Sequence, residues 1–240
     1  NRVMSNLAFT IKPFEGFTIR TSGNVENTEY RWDRYDTSKY PNSTGAAGIE
    51  TSNTVEFTTN NTVTYEKEID KHNFSIMGGS TYEQYKYTPF SVTGTGYIND
   101  ILESYDIGSA AVIDVPSSSY TEWRLLSFLG RANYSYDGKY LATATFRMDG
   151  SSRYSKGSKW GTFPSAALAW KISNENFMKS VKPISNLKLR VGYGVTGSTA
   201  ISAYSTVNLL KSESAVLDKQ LYTGFEPRDA YPGNLKWETT

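Results

Sequence analysis

The chain has 240 residues, 38% of them hydrophobic, with 25 basic and 24 acidic side chains, a formal net charge of +1 and no cysteine. That length suits one large domain or two small ones, because single cores stop growing at roughly 250 to 300 residues. No window approaches the ~18 consecutive apolar residues of a membrane-spanning helix, near-neutrality argues against a nucleic-acid partner, and the lack of cysteine excludes a disulfide scaffold, a thiolate zinc site and a cysteine nucleophile.

Residues 7–12 and 17–26 are predicted as a hairpin around Pro13, Phe14, Glu15 and Gly16, its second strand alternating Phe17, Ile19, Thr21, Gly23 and Val25 with Thr18, Arg20, Ser22, Asn24 and Glu26. Residues 53–68 and 73–87 form another around Ile69 to His72. The clearest alternation covers residues 124–136. There Leu126, Phe128, Gly130, Ala132, Tyr134 and Tyr136 share one face, and Ser127, Leu129, Arg131, Asn133 and Ser135 the other. Asp137, Gly138 and Lys139 make a turn, with Gly138 suited to the left-handed conformation such loops need. If Tyr136 pairs with Tyr140, the apolar face continues through Ala142, Ala144, Phe146 and Met148, so two strands agree on which side is apolar. Residues 163–173 and 187–195 alternate in the same way, the first setting Ala166, Leu168 and Trp170 apart from Ser165, Ala167 and Lys171. The sum is eight strands in about four hairpins, an all-β antiparallel chain.

The connections are uneven. Three of the odd-numbered ones are tight and the fourth, residues 174–186, has room for one helical turn; those near 27–52, 88–122, 150–162 and 196–234 are longer and rich in Gly, Ser, Asn and Tyr. A transmembrane barrel places short turns on the periplasmic side and long loops outside. Tyr134, Tyr136 and Tyr140 near one turn, and Tyr82, Tyr85 and Tyr87 near the far end of another strand, suit the two membrane boundaries, where rings apolar in the body and polar at the tip collect. The mean hydropathy of −0.50 is compatible with this, since a lipid face averaged with a wet face comes out polar. The alternative is a soluble carbohydrate-binding β-sandwich; a β-rich glycoside hydrolase is a weaker third.

No chemistry-bearing constellation stands out. His72 is the only histidine and has no carboxylate pair at metal-ligand spacing. Gly94 and Gly96 lack the third glycine of a dinucleotide fingerprint. Glu50, Glu56, Glu66 and Glu68 are scattered, with nothing to select a hydrolytic pair. No catalytic, cofactor or metal site is expected. Arg131, Arg147 and Arg190 lie on polar strand faces and are expected to line a lumen. Arg153, Tyr154 and Trp160 are the candidates for facing a ligand near the extracellular mouth, by aromatic stacking and by donation from Arg. Against that, "DGSS" is an ordinary turn and "GTFPS" an ordinary return into a strand, and the structural role is the favoured reading.

Three stretches resemble the SusC/RagA branch of the TonB-dependent outer-membrane transporters: "RANYSYDGKYLATATFRMDGSSRYSKGSKWGTFPSAALAWKISNENFM", "LKLRVGYGVTGS" and "NLKWETT". The earlier "PFEGFTIRTSGN" and "YEKEIDKHNFSIMGGSTYEQYKY" fit that family's hairpins more loosely. The resemblance implies a 22-stranded barrel in the outer membrane around an N-terminal plug. It also implies a box that contacts TonB, a SusD-like surface lipoprotein lidding the mouth, and import of oligosaccharides or peptides. On that basis residues 1–240 are an arc of the barrel wall, and the plug, the TonB-contacting box and the terminal strand are expected outside this chain. No signal-peptide pattern opens the sequence, and "NLKWETT" looks like a strand just starting, so a piece of a longer protein is expected. No nucleic acid is expected as a partner.

Overall fold

The computed structural model describes residues 1–181, 183–228 and 235–240. Fourteen strands occur among them. The long ones at the start are β1 (Arg2–Ile11), β2 (Phe17–Asp36), β3 (Ala46–Ile69) and β4 (His72–Thr95). Two short pieces follow, β5 (Val112–Ile113) and β6 (Ser117–Ser118), and then β7 (Thr121–Tyr136), β8 (Tyr140–Ser151), β9 (Trp160–Lys171) and β10 (Lys188–Gly194). The remainder are β11 (Gly197–Ser198), β12 (Leu210–Leu217), β13 (Gln220–Pro227) and β14 (Glu238–Thr239).

One antiparallel sheet runs β1-β2-β3-β4-β7-β8-β9-β10, with β5 and β6 paired to β4; β11 pairs with β14, and β12 with β13. Each long strand thus neighbours the one before it in sequence, the meander of a barrel wall and not the Greek key of most sandwiches. Burial gives the same answer. Among the described residues the buried hydrophobics are Ala47, Tyr97, Tyr154 and Phe163, while residues such as Leu7, Phe9, Phe146 and Leu168 are exposed. A soluble domain of this length removes roughly 70% of its unfolded surface from water. A sheet that leaves its apolar face bare is not the soluble sandwich.

The expected turns are present. Gly16 has φ +78 and Phe17 N–H donates to the Phe14 carbonyl at 3.1 Å. Asp70 bends the second hairpin at φ 51, and Asp137 and Gly138 bend the third at φ 52 and 60. The Tyr136 to Tyr140 pairing is the register found, carried through to Leu125 opposite Ser151. The fourth connection contains two 3-10 turns, Ile172–Asn174 and Asn176–Met178, where one turn was expected.

Three expectations need correction. The connection expected at 27–52 is largely strand and the one at 88–122 is shortened at its start, because β2 continues to Asp36, β3 begins at Ala46 and β4 runs to Thr95. Tyr82, Tyr85 and Tyr87 therefore lie inside β4 and not at its end. Residues 30–36 alternate only through Tyr30 and Trp32 before charged residues take over both faces. Ion pairs between residues two apart run along them instead, Arg31–Asp33 at 3.1 Å and Arg34–Asp36 at 2.7 Å on alternate faces. Lastly, the connection expected over 196–234 holds the β12–β13 hairpin, turned at Asp218 and Lys219 with φ 47 and 63, the left-handed pair that a two-residue turn requires. Residues 229–234 of that connection, and with them the first residue of "NLKWETT", lie outside the described residues.

Two compact units divide the chain, residues 1–7, 24–58 and 84–122 in one, residues 8–23, 59–83 and 123–240 in the other.

Candidate functional site

In the second unit the registers of β7 to β10 stack side chains into rows. Tyr136, Tyr140, Trp170 and Leu189 form one row; Tyr134, Ala142, Leu168 and Val191 the next; then Ala132, Ala144, Ala166 and Tyr193; then Gly130, Phe146 and Pro164. Phe128, Met148 and Thr162 follow, and Leu126, Gly150 and Trp160 end the series. Rings occupy both ends. Tyr140 stacks between Tyr136 at 6.5 Å and Trp170 at 6.3 Å, and Phe128 stacks on Trp160 at 6.2 Å. From the Tyr136 row to the Leu126 row the strand advances about 33 Å, which a tilt near 40° reduces to about 25 Å, the height of a lipid-facing band.

The opposite face is polar and internally bonded. Thr143 Oγ1 donates to Asn133 Oδ1 at 2.9 Å, Arg131 Nε to Thr145 Oγ1 at 3.2 Å, and Arg147 to Asp149 Oδ2 at 2.8 Å and to Ser127 Oγ at 3.1 Å. Arg190 sits on this face by register, opposite Ala169. The buried Asp149 carries its charge against Arg147, which makes a desolvated carboxylate tolerable. At the tight-turn end, Glu175 accepts from Tyr140 Oη at 2.7 Å and Trp170 Nε1 at 3.1 Å, and Lys139 lies 3.5 Å from it and 2.9 Å from Asp137. His72 Nδ1 lies 2.8 Å from the Tyr134 hydroxyl and its ring is stacked with Phe74.

At the far end of the polar face the β11–β14 ribbon folds onto β9. Trp237 lies 5.1 Å from Tyr154 and 5.3 Å from Phe163, ring centre to ring centre, and its Nε1 donates to the Lys159 carbonyl at 3.0 Å. Glycine is needed on both sides of this contact. A Cβ on Gly161 would come within 2.6 Å of Phe163 and 2.8 Å of Trp237, and one on Gly197 within 2.1 Å of Phe163.

The three residues singled out from the sequence divide here. Tyr154 is only 2% exposed, its hydroxyl donates to the Ser198 carbonyl at 3.1 Å, and burial pushes its phenol up. Arg153 lies 4.3 Å over the Trp123 ring, donates to the Thr199 carbonyl at 3.1 Å, and its buried Nε meets no acceptor among the described residues. Burial pushes its guanidinium down. Arg153 and Tyr154 thus hold the ribbon together. Trp160 is 49% exposed and stands on the other face of the sheet, in the row of Leu126 and Gly150. Trp237 and Trp123 were missed; the legible trace of the first was the pair of glycines it requires, Gly161 and Gly197.

The first unit carries a second organised region. Asp100 accepts from Tyr35 Oη at 2.5 Å, Thr37 Oγ1 at 2.8 Å and Ser38 at 3.0 Å through both its backbone N–H and its hydroxyl. These donors, the Tyr35 phenol first, hold the Asp100 carboxyl far below the usual carboxylate range, and the same bond leaves Tyr35 pushed up to about 12. Tyr97 packs edge-on to Tyr35 at 5.5 Å, and Gly96 and Tyr97 N–H donate to the Gly45 and Thr44 carbonyls at 3.0 and 2.9 Å.

A family model described as TonB dependent receptor-like, beta-barrel matches residues 1–240. The chain is 37% identical over 196 residues to TonB-dependent receptor P3 of Formosa agariphila, covering 82% of this chain and 20% of that protein. It is 32% identical over 247 residues to receptor P26 of the same organism, covering 100% and 25%. To the TonB-dependent receptor SusC of Bacteroides thetaiotaomicron it is 39% identical over 183 residues, covering 74% and 18%. The chain therefore spans a quarter or less of these relatives. Among solved structures, the RagAB peptide transporter superposes with a TM-score of 0.88 at 23% identity over 99% of this chain and 28% of that one. The closed-closed RagAB peptide importer gives 0.87 at 24%, over 99% and 27%.

Proposed function

This chain belongs to the TonB-dependent receptor-like β-barrel family, and from that premise we propose that residues 1–240 are a stretch of the wall of an outer-membrane importer. The rest of the protein supplies the plug, the TonB-contacting box and the strands that close the barrel. The observation that carries this reading is the pairing of a ring-edged apolar band about 25 Å tall with a bonded polar face behind it. In lipid every backbone group must be satisfied strand to strand, so such a sheet works only as part of a closed wall.

The cargo we infer is an oligosaccharide or a peptide. The name RagAB peptide transporter, carried by a protein of similar fold, supports the peptide part of that range; the oligosaccharide part, and a SusD-like surface lipoprotein as partner, rest on the resemblance of the sequence to the SusC/RagA branch. No catalytic step is assigned to the chain. Arg153 and Tyr154 act on cargo through the ribbon they hold over the polar face, and Trp160 anchors the wall in lipid.

The test is uptake by intact cells of the native host. Deletion of the full-length protein should abolish growth on one oligosaccharide or peptide source, and deletion of TonB should reproduce the defect. Growth on all such sources without the protein, or uptake indifferent to TonB, would remove the import reading.

A further inference from the structure

In the unit of residues 1–7, 24–58 and 84–122, one face of the sheet carries a recess of about 290 Å³ whose walls include Tyr30, Glu50, Ser52, Tyr87, Ser91 and Ser117. β6 builds one side of it: Ser117 pairs with Ser91 and Ser118 with Phe90, and Ser119 N–H donates to the Pro89 carbonyl at 3.3 Å. Alternation puts Tyr30 and Trp32 on the same face of β2, where they are 53 and 44% exposed. The other face of that stretch carries Glu29, Arg31 and Asp33, so water bathes both sides and neither ring is placed to meet lipid. Bare rings on a wet face mark a contact. Glu50 does not serve the fold either: among the described residues it has no ion pair and no side-chain hydrogen bond.

The recess has a definite chemistry. Ring faces stack on the apolar face of a pyranose, an unpaired carboxylate accepts strongly from hydroxyls, and serine hydroxyls donate or accept as a sugar requires. No Lys or Arg is among the lining residues, so a uronate or a sulfate would meet Glu50 uncompensated. A peptide is served poorly. The backbone of β4 is already paired with β6 here, and the recess offers hydroxyls where a peptide side chain needs an apolar pocket. Its volume lies at the lower end of the roughly 300 to 1,000 Å³ of small-molecule sites, room for one ring, while Tyr30 and Trp32, about 7 Å apart along the strand, let a further unit lie alongside.

We propose that this recess is a subsite for one unit of a neutral oligosaccharide, with Tyr30 as the stacking platform and Glu50 as the acceptor for its hydroxyls. The subsite narrows the cargo of the import reading, on which it rests, to uncharged sugars.

Calorimetry on the purified full-length protein tests this, with maltohexaose, laminarihexaose, mannohexaose and xylohexaose as neutral probes, hexagalacturonate as the anionic one, and hexaalanine and hexalysine as peptides. At least one neutral sugar should bind, and hexagalacturonate should not. Tyr30→Ala should weaken that binding about tenfold and Glu50→Gln about fivefold. Tyr30→Phe, which keeps the ring, should bind as the unsubstituted protein does, and all three variants should show its heat-dependent gel shift. Binding of none of the neutral sugars overturns the proposal. So does neutral-sugar binding that Tyr30→Ala and Glu50→Gln leave intact, or binding of hexagalacturonate or a peptide that these variants abolish. If a neutral sugar binds at these residues but deletion of the gene leaves growth on it unchanged, the import reading falls and the subsite stands. If that growth is lost while the variants bind the sugar normally, the subsite falls alone.

Discussion

Gly197 lies so close to Phe163 that a Cβ placed on it would fall 2.1 Å from the ring. Since Phe163 is itself buried between Trp237 and the sheet, neither partner has room to yield. Gly197→Ala should therefore lift the β11–β14 ribbon at a cost of about 1 to 3 kcal/mol, the usual penalty for overpacking. The readouts are a red shift of Trp237 emission and faster proteolysis after residue 197, with the wall intact. Phe163→Ala in the same chain should restore protection. Unchanged proteolysis in the single variant would show that the ribbon is held by something else.

The row pattern places the membrane midplane in the neighbourhood of Gly130, Phe146 and Pro164. Phe146→Arg should cost ~2 to 4 kcal/mol and Trp160→Arg, at the edge of the band, ~0 to 1. Asn133→Ser, on the polar face, should cost still less than Phe146→Arg. Equilibrium refolding of the full-length barrel into vesicles measures all three. Equal costs would invert or erase the assignment of faces.

Much of this was legible beforehand, and the reasons are physical. Within the band one face meets lipid and the other water, so a period of two is enforced and residues 124–148 state their register openly. Where both faces are wet, as along Asp33–Asp36, no alternation is demanded and the strand cannot be told from a loop. The β12–β13 hairpin was hidden because Asp218 and Lys219 take left-handed conformations without the glycine that usually announces them. The face on which Trp160 stands was hidden by a strand boundary: starting β9 at 163 concealed that the even-numbered positions continue back to 160. Trp237 was invisible because its partners, Tyr154 and Phe163, are more than seventy positions away.

Loop order should respond to pH in opposite ways at the two ends of the scale. The Asp100 carboxyl is depressed, so its contribution is complete above the unfolded value of roughly 3.9 and disappears only as pH falls through the lower folded value. Tyr35 is pushed up to about 12, so its contribution is complete below roughly 10 and is lost as pH rises from there. Hydrogen exchange of the Ser38 amide should then be protected and flat from mildly acid to mildly alkaline pH, after correction for intrinsic rates. Asp100→Asn should weaken that protection throughout. Loss of protection in wild type near pH 6 would contradict the network.

Glu175 is the acceptor shared by Tyr140 and Trp170. Glu175→Ala removes both bonds at the edge of the band, and should lower the urea midpoint of the barrel more than Glu175→Gln, which keeps a carbonyl acceptor. Trp170 emission reports the change directly. Identical midpoints for the two variants would assign the effect to lost charge beside Lys139.

The ring-bearing rows at Tyr136 and Trp160 also act as a gauge of bilayer thickness. Their spacing is fixed by backbone hydrogen bonds and cannot stretch, so a thicker membrane must thin around the wall or leave a ring row under acyl chains. The bacterial outer membrane is thinner than average. A protein so dimensioned carries part of its cellular address in the distance between two rows of rings, and in a thicker host membrane it should insert slowly even with every export signal in place.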